Sequence, residues 1–286
     1  MNPLQYEKRY HELVVSLDAL GTTTVDVHRY QNNDEKYKTN AFWGNKEALK
    51  HKDQVLGKVN DEVQGEQKAA AAAARPGADV PRIEALRQAF GVAVHLKNAE
   101  VLRRLKPSLM SVHSGKGSPE EIAAVLHLVA RYKLYDKAIA DQAAAVRGYC
   151  DKYIGLDCNG FVGNYALATG RTRKPGDVIP SFAPKSDLRT RIEDVQADDV
   201  MVFSDYGHIT VIHSIAPLTT GADGKPARDC VVVESSAHNP SKGALTEHGG
   251  LQHSTYSIRS VGANKIFSIE RPKGEALIQA YIAPLK

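Results

Sequence analysis

The sequence is poor in cysteine and has no long hydrophobic run. Only three of its 286 residues are cysteines, and no two of them form a Cys-x-x-Cys pair. A chain of this length does not need disulfides to stabilise its core, and the spacing gives no sign of a zinc or redox motif. No stretch approaches the roughly 18 consecutive apolar residues of a transmembrane helix. We therefore expect a protein with no membrane span.

The first residues also lack the features of a secretory signal peptide. Residues 1–20 contain no basic segment followed by an apolar run and a small-residue cleavage site. We therefore expect synthesis in the cytoplasm, and secretion by a specialised system if the protein acts outside that compartment.

A strong excess of charge of one sign is missing as well. Lys and Arg number 37 and Asp and Glu 33, which gives a formal net charge of +4. This excess is too small to predict nucleic-acid binding. Hydrophobic residues make up 42% and charged residues 24% of the chain, as in ordinary globular proteins. The length allows two domains, each with its own core.

Helical patterns dominate the first half of the chain, and strand patterns dominate the last third. Ser118, followed by Glu121 and an apolar periodic run, predicts the N-terminus of a helix. After about residue 197 come short β-rich runs separated by Gly, Pro and Asp. We therefore predict an α+β protein with a mostly helical N-terminal region of unknown role in residues 1–140 and a second domain in residues 141–286.

Residues 155–168 predict a helix with a cysteine in its first turn. Asp157 is a suitable N-cap, and Phe161 and Tyr165 recur at helical spacing. A thiol at a helix N-terminus lies at the positive end of the macrodipole, which favours the nucleophilic thiolate. The backbone N–H of Cys158 is a natural donor to an oxyanion. A small, buried, structural cysteine is the alternative interpretation. Two small residues of this helix are expected to leave room near the thiol: Gly160 and Gly163.

A histidine at the start of a strand supplies a candidate base. Residues 199–203 have a strand pattern, and a Ser-Asp-Tyr-Gly turn then leads to His208 at the mouth of the next strand. This histidine follows Cys158 by fifty positions. A base at a strand end facing a helix N-terminus is the arrangement that a thiolate–imidazolium pair requires.

A third group must accept the other N–H of the imidazole. Glu234 is ionisable yet lies near the end of an apolar strand, and an isolated charge is costly to bury, so His208 is a candidate partner. A solvent-exposed strand end explains Glu234 equally well. His238 and Asn239 are the alternative third residues.

These motifs resemble those of the peptidoglycan-cleaving superfamily that includes the NlpC-type endopeptidases and the CHAP amidases. Residues 157–162, Asp-Cys-Asn-Gly-Phe-Val, resemble its Asp-Cys-Ser-Gly-Phe-Val signature. Residues 199–203 resemble the strand before its catalytic histidine, and residues 207–209 resemble the Gly-His-Val that contains it. Residues 233–235 are similar to a CHAP strand with a third polar residue.

The resemblance extends over roughly residues 145–270. Within this range the sequence differs from the family pattern in three ways. Asn159 stands in place of the usual Ser, and Asp198 in place of Gly. The 26 positions from His208 to Glu234 exceed the short hairpin of NlpC-type enzymes.

The resemblance implies a papain-like catalytic domain in residues 141–286, with a helix packed on an antiparallel sheet. It implies a cysteine peptidase or amidase that cleaves an amide bond in peptidoglycan peptides without a cofactor. Cys158 would be the nucleophile, His208 the base and Glu234 the residue that orients the imidazole. Residues near the oxyanion or the substrate would be Tyr153, Asp157 and Asn159.

Other functions fit the same residues. A deamidase, isopeptidase or acyltransferase acting on a protein uses the same thioester chemistry. Five histidines follow residue 200, but no His-Glu-x-x-His or similar spacing is present, and we predict no metal. A degenerate domain that only binds is the non-enzymatic alternative. A wall-cleaving enzyme of this kind fits an antibacterial effector, with an immunity or inhibitor protein as partner, or a phage lysin.

Overall fold

Among the described residues, the α-helices lie before residue 169, together with one β-hairpin, and the other strands lie after residue 198. The structure is a computed structural model that describes residues 1–17, 21–31, 45–73, 98–221, 224–239, 244–271 and 277–286. The helices of these residues are α1 (Pro3–His11), α2 (Lys46–Ala73), α3 (Asn98–His113), α4 (Pro119–Arg131), α5 (Gln142–Tyr153) and α6 (Cys158–Ala168). Their strands are β1 (Leu13–Ser16), β2 (Thr22–Val25), β3 (Asp199–Phe203), β4 (Ile209–Ile215), β5 (Thr219–Thr220), β6 (Pro226–Asn239), β7 (Ala244–Val261), β8 (Phe267–Glu270) and β9 (Ile278–Pro284).

The predicted starts of two helices are confirmed. The Ser118 hydroxyl accepts the N–H of Glu121 at 3.2 Å, and the Glu121 carboxylate accepts the N–H of Ser118 at 3.0 Å. This reciprocal capping box begins α4. Asp157 caps α6 by accepting the N–H of Gly160, so Cys158 is the first residue of that helix.

Six of the strands close into an antiparallel barrel. Around the ring the order is β4, β3, β9, β8, β7 and β6, and β6 pairs with β4 to complete it. Val211 of β4 lies opposite Val233 of β6 at this closure. The short β5 pairs with β6 outside the ring.

Side chains alternate between the two faces of the barrel wall along each strand, and part of the wall is buried on both faces. Outside, Val200 and Val202 of β3 belong to a large hydrophobic cluster together with Tyr6 of α1 and Phe161 of α6. Inside, another cluster takes side chains from all six strands: Met201, Ile212, Val232, Ile258, Phe267 and Ile282.

The predicted papain-like fold is wrong, because the sheet is closed. The prediction placed a helix on an antiparallel sheet, with a mostly helical region before it. Instead β6 pairs with β4, and a bulge between Ile212 and Ser214 interrupts the register of that pair. The first residues also form the β1–β2 hairpin, and α1 packs on β4, β6 and β7. Alternating apolar residues look the same in open and closed sheets, so the residue pattern did not reveal the closure.

The predicted boundary near residue 140 falls between α4 and α5. The large hydrophobic cluster contains side chains from both sides of it, among them Tyr10 and Val125 before it and Tyr165 and Val233 after it. The division into two domains itself stays a prediction.

The capping box of α4 gives a test of the helix assignment. Replacement of the Ser118 hydroxyl in Ser118→Ala leaves the N–H of Glu121 without its acceptor, and we expect the free energy of unfolding to fall by about 1 kcal/mol. Urea unfolding followed by circular dichroism measures the change. Ser118→Asp serves as the matched control, because a carboxylate caps equally well. Equal stability of Ser118→Ala and the wild type would contradict the cap.

Candidate active site

The segment before Cys158 is fixed by backbone from distant parts of the chain. The N–H of Leu156 donates to the carbonyl of Arg29 at 2.9 Å. The carbonyl of Leu156 accepts the N–H of Gln31 at 3.0 Å and the hydroxyl of Ser235, on β6, at 2.7 Å. Residues from the first part of the chain therefore hold the start of α6 against the barrel.

Asp157 anchors the helix start from the other side. Its N–H donates to the carbonyl of Gly115 at 2.8 Å, and its buried carboxylate forms a salt bridge with Lys116. The same carboxylate accepts the N–H of Gly160. The N–H of Cys158 lies at a position that has no acceptor within its own helix, which leaves it suited to bind an oxyanion.

Two glycines of α6 allow a close approach of neighbouring backbone. A Cβ at Gly160 would lie 2.1 Å from the carbonyl oxygen of Gly115, and a Cβ at Gly163 would lie 2.2 Å from the nitrogen of Pro175. The sequence led us to expect that these glycines leave room near the thiol. Instead they allow the loops before α4 and after α6 to pack directly on the helix.

His208 is presented to the thiol by the turn between β3 and β4. Its carbonyl accepts the N–H of Phe203 at 3.0 Å, which closes the turn. The Phe203 ring meets the imidazole edge-on, with 4.9 Å between ring centroids. His208 is 9% exposed and Cys158 is 4% exposed. Cys158 lies close enough to His208 to raise the pKa of the imidazole.

Glu234 pairs with the far side of the imidazole. Its Oε2 lies 2.5 Å from Nε2 of His208, so Nδ1 is the ring nitrogen that remains for the thiol of Cys158. Oε1 accepts the hydroxyl of Tyr256 at 2.8 Å. Glu234 is completely buried and shares its face of β6 with Val232 inside the barrel. It is therefore not at an exposed strand end.

The network holds His208 protonated. Burial lowers the pKa of His208, but the interactions with Cys158 and Glu234 outweigh burial and raise the pKa to about 9. Burial likewise raises the pKa of Glu234, yet the hydrogen bond and charge of His208, with the charge of Arg271, leave that pKa lowered. An imidazolium and a carboxylate therefore coexist in the barrel wall at neutral pH.

Arg271 lies beside this pair. Its guanidinium carbon is 4.8 Å from the centroid of the Phe203 ring and 5.5 Å from that of Tyr256. A cation over an aromatic ring is stabilised by the quadrupole of that ring. Arg271 therefore adds positive charge near the carboxylate of Glu234.

An open cleft of about 300 Å³ leads to the thiol. Cys158 and Asn159 line it from α6, residues 176–180 from the following loop, and Tyr206 and Gly207 from the turn before His208. A carbonyl carbon in this cleft would meet the sulfur of Cys158. The arrangement therefore suits nucleophilic attack by a thiolate with proton transfer by histidine.

The structure brings together most of the predicted site residues. Asp157 and Asn159 line the cleft with Cys158. The Asn159 amide, however, donates to the carbonyl of Asp177, and its oxygen accepts the N–H of Gly176 at 3.3 Å. Asn159 thus holds the 176–180 loop in place. The side chains of the alternative third residues, His238 and Asn239, lie outside the described part of the structure.

Tyr153 lies away from the thiol. It ends α5, with its ring centroid 3.8 Å from that of His51 and 4.9 Å from that of Tyr149. It lines a different cavity, of about 330 Å³, with these two residues. Tyr153 is not one of the described residues that line the Cys158 cleft.

Two members of the network were not predicted from the sequence. Tyr256 lies in β7 directly opposite Cys230 of β6, and a tyrosine on the inward face of a strand needs a partner for its hydroxyl. That rule would have pointed to the buried carboxylate. Arg271 follows β8, and nothing in its sequence context indicates the contact.

Comparison with known proteins identifies no relative of this chain. Compared with protein-family models, with curated proteins and with solved structures, the chain matches none of them. Among the side chains that the structure describes, no three His, Cys, Asp or Glu residues are grouped to hold a metal ion. In the described ranges, every helix is too short or too polar to cross a bilayer.

The close approach at Gly160 predicts a specific loss of stability. Gly160→Ala forces a methyl group against the carbonyl of Gly115, and we expect the free energy of unfolding to fall by about 1–3 kcal/mol. Gly57→Ala is the matched control, because a Cβ there meets nothing within 4 Å. It lies inside α2 and should gain up to about 1 kcal/mol. Urea unfolding measures both changes in the free energy of unfolding. Changes of the same sign in the two variants would contradict the close packing at Gly160.

The pKa of His208 predicts how stability varies with pH. The folded-state pKa of about 9 exceeds the ordinary value of 6.5. Between these values the folded protein keeps a proton that the unfolded chain has lost. The stabilisation is therefore fully present below pH 6.5 and disappears as the pH rises through 9. Urea unfolding of the wild type and His208→Gln should show their difference in free energy shrinking over this range, and a constant difference would refute the ion pair.

Proposed function

We propose that this protein is a cysteine hydrolase that cleaves an amide bond in peptidoglycan peptides. The observation that carries the proposal is that Cys158, which borders an open cleft, interacts with His208, whose imidazole pairs with the buried Glu234. A thiol, a protonated imidazole and a buried carboxylate in this order are the parts of a nucleophilic triad.

In the first step, the Cys158 thiolate attacks the carbonyl carbon of the scissile amide. A carbon–sulfur bond forms and the carbonyl oxygen becomes an oxyanion, which the N–H of Cys158 is positioned to stabilise. Nδ1 of His208 then gives its proton to the amide nitrogen. The carbon–nitrogen bond breaks, the amine leaves, and a thioester remains on Cys158.

In the second step, water replaces the amine. The now neutral His208 takes a proton from the water, and the resulting hydroxide attacks the thioester carbon. The carbon–sulfur bond breaks, which releases the carboxylic acid and restores the thiolate–imidazolium pair. No cofactor takes part in this sequence.

Glu234 orients the base. Its contact with Nε2 keeps Nδ1 facing the thiol, and its charge stabilises the imidazolium that the first step needs. The hydroxyl of Tyr256 satisfies the second carboxylate oxygen. A carboxylate buried without these partners would be costly, so Tyr256 and Arg271 are positioning residues in this proposal.

The sequence motifs favour peptidoglycan as the substrate. The Asp-Cys-Asn-Gly-Phe-Val run at residues 157–162 and the Gly-His-Ile at residues 207–209 resemble those of the NlpC-type and CHAP enzymes. Both runs border the cleft described above. A deamidase, isopeptidase or acyltransferase with a protein substrate would use the same two steps, and the experiment below separates these outcomes.

Digestion of purified cell-wall sacculi tests the proposal. Wild-type protein should release soluble muropeptides, and mass spectrometry of the fragments identifies the cleaved bond. Cys158→Ala should lose at least about a thousandfold in rate, and His208→Ala nearly as much. Glu234→Gln should lose less, because an orienting residue contributes less than the nucleophile.

The control for these variants is Cys150→Ala, which removes a buried thiol from α5 outside the cleft. It should digest sacculi at close to the wild-type rate. Circular dichroism confirms that every variant is folded. Wild-type turnover by Cys158→Ala would end the proposal. Intact sacculi alongside turnover of a protein substrate would move the assignment to the alternative class.

A further inference from the structure

A second cavity, distinct from the cavity beside Tyr153, shares a lining residue with the Cys158 cleft. It has a volume of about 440 Å³. Tyr206, in the turn before His208, lines both this cavity and the cleft. The two spaces therefore share the Tyr206 side chain as part of their walls.

The lining of the second cavity is cationic. Lys185 reaches it from the loop before β3, and Lys265 from the turn between β7 and β8. Both residues are exposed. Among the described residues that line the cavity, none carries a carboxylate. An anionic group entering it would meet two ammonium groups without an acidic competitor in the lining.

Aromatic rings form one side of the cavity. The rings of Tyr206 and Tyr281 are stacked, with 6.0 Å between their centroids and 17° between their planes. Tyr206 is 43% exposed despite its size. A flat aromatic surface beside two lysines suits a peptide chain with carboxylate groups, because the chain packs on the rings while its charges reach the ammonium groups.

Backbone strain is concentrated at this cavity. Five described residues other than glycine have a positive φ, and three of them line it: Tyr206 at 56°, Asn264 at 59° and Lys265 at 61°. A bulky side chain in the left-handed region is unfavourable and persists only where surrounding structure enforces it. Such strain clusters at binding sites.

We infer that the second cavity is a subsite for a carboxylate-bearing arm of the substrate, bound by Lys185 and Lys265 beside the Tyr206–Tyr281 stack. This inference rests on the proposed function, since it assigns the arm to the peptide whose amide bond reaches Cys158. It makes the enzyme selective for acidic peptides over their amidated forms. The selectivity comes from residues that take no part in the bond cleavage itself.

Binding to an inactive variant tests the subsite apart from catalysis. The probe is the wall peptide L-Ala-γ-D-Glu-L-Lys-D-Ala with both carboxylates free, compared with the same peptide carrying two carboxamides. Calorimetry with Cys158→Ala should give tighter binding of the acid form. In the background of Cys158→Ala, the double change Lys185→Glu and Lys265→Glu should weaken that binding about tenfold. It should leave binding of the amidated peptide within about twofold.

The control carries the same change of charge elsewhere. Lys58→Glu with Lys137→Glu alters two exposed lysines that do not line either cavity. It should leave the affinity for both peptides unchanged. The comparison distinguishes the effect of the two subsite lysines from the effect of the protein's overall charge. Equal loss of affinity in the two double variants would overturn the subsite.

The failure of the subsite and that of the proposed function have different signatures. If wild-type protein digests sacculi while Cys158→Ala binds both peptides equally, the function stands and the subsite is wrong. If wild-type protein leaves sacculi intact while Cys158→Ala still prefers the acid peptide through the two lysines, the subsite stands as an acidic-peptide site and the proposed hydrolase is wrong.

Discussion

The buried pair of His208 and Glu234 is the interaction on which the rest of the site depends. A carboxylate inside a barrel is tolerated only if each of its oxygens has a partner. The imidazole and the Tyr256 hydroxyl supply those partners at 2.5 and 2.8 Å. Because the pair keeps its proton on histidine, the thiol faces a positive charge. The closed barrel keeps water away from the carboxylate and so preserves the strength of this attraction.

The nucleophile depends on chain segments that lie far away in the sequence. Arg29 and Gln31 hydrogen-bond to Leu156, and Gly115 accepts the N–H of Asp157. The residues before α5 are therefore part of the support of the site. Their contacts are made through the backbone, which explains why no recognisable motif marks them. A change of backbone course there would move Cys158 relative to a barrel that stays in place.

Local features of the site could be predicted from the sequence, and the closure of the sheet could not. The cap by Asp157 follows from residue type, and the pairing of Glu234 with His208 was one of the alternatives that the sequence left open; both are present. Whether β6 meets β4 depends on strand coiling and bulges, which residue alternation does not encode. Asp198 illustrates a departure explained only by coordinates. It has a φ of 67°, in the left-handed region that favours glycine, and its carboxylate accepts bonds from Tyr165 and Arg171.

The separation of the three thiols has a consequence for redox chemistry. Cys150 belongs to the large hydrophobic cluster and Cys230 to the cluster inside the barrel. Burial raises the pKa of both, which keeps them as unreactive thiols. Only Cys158 borders the cleft within the described residues. A sulfenic acid formed there has no neighbouring cysteine in the cleft with which to close a protective disulfide, so further oxidation to the sulfinic acid would inactivate the protein irreversibly.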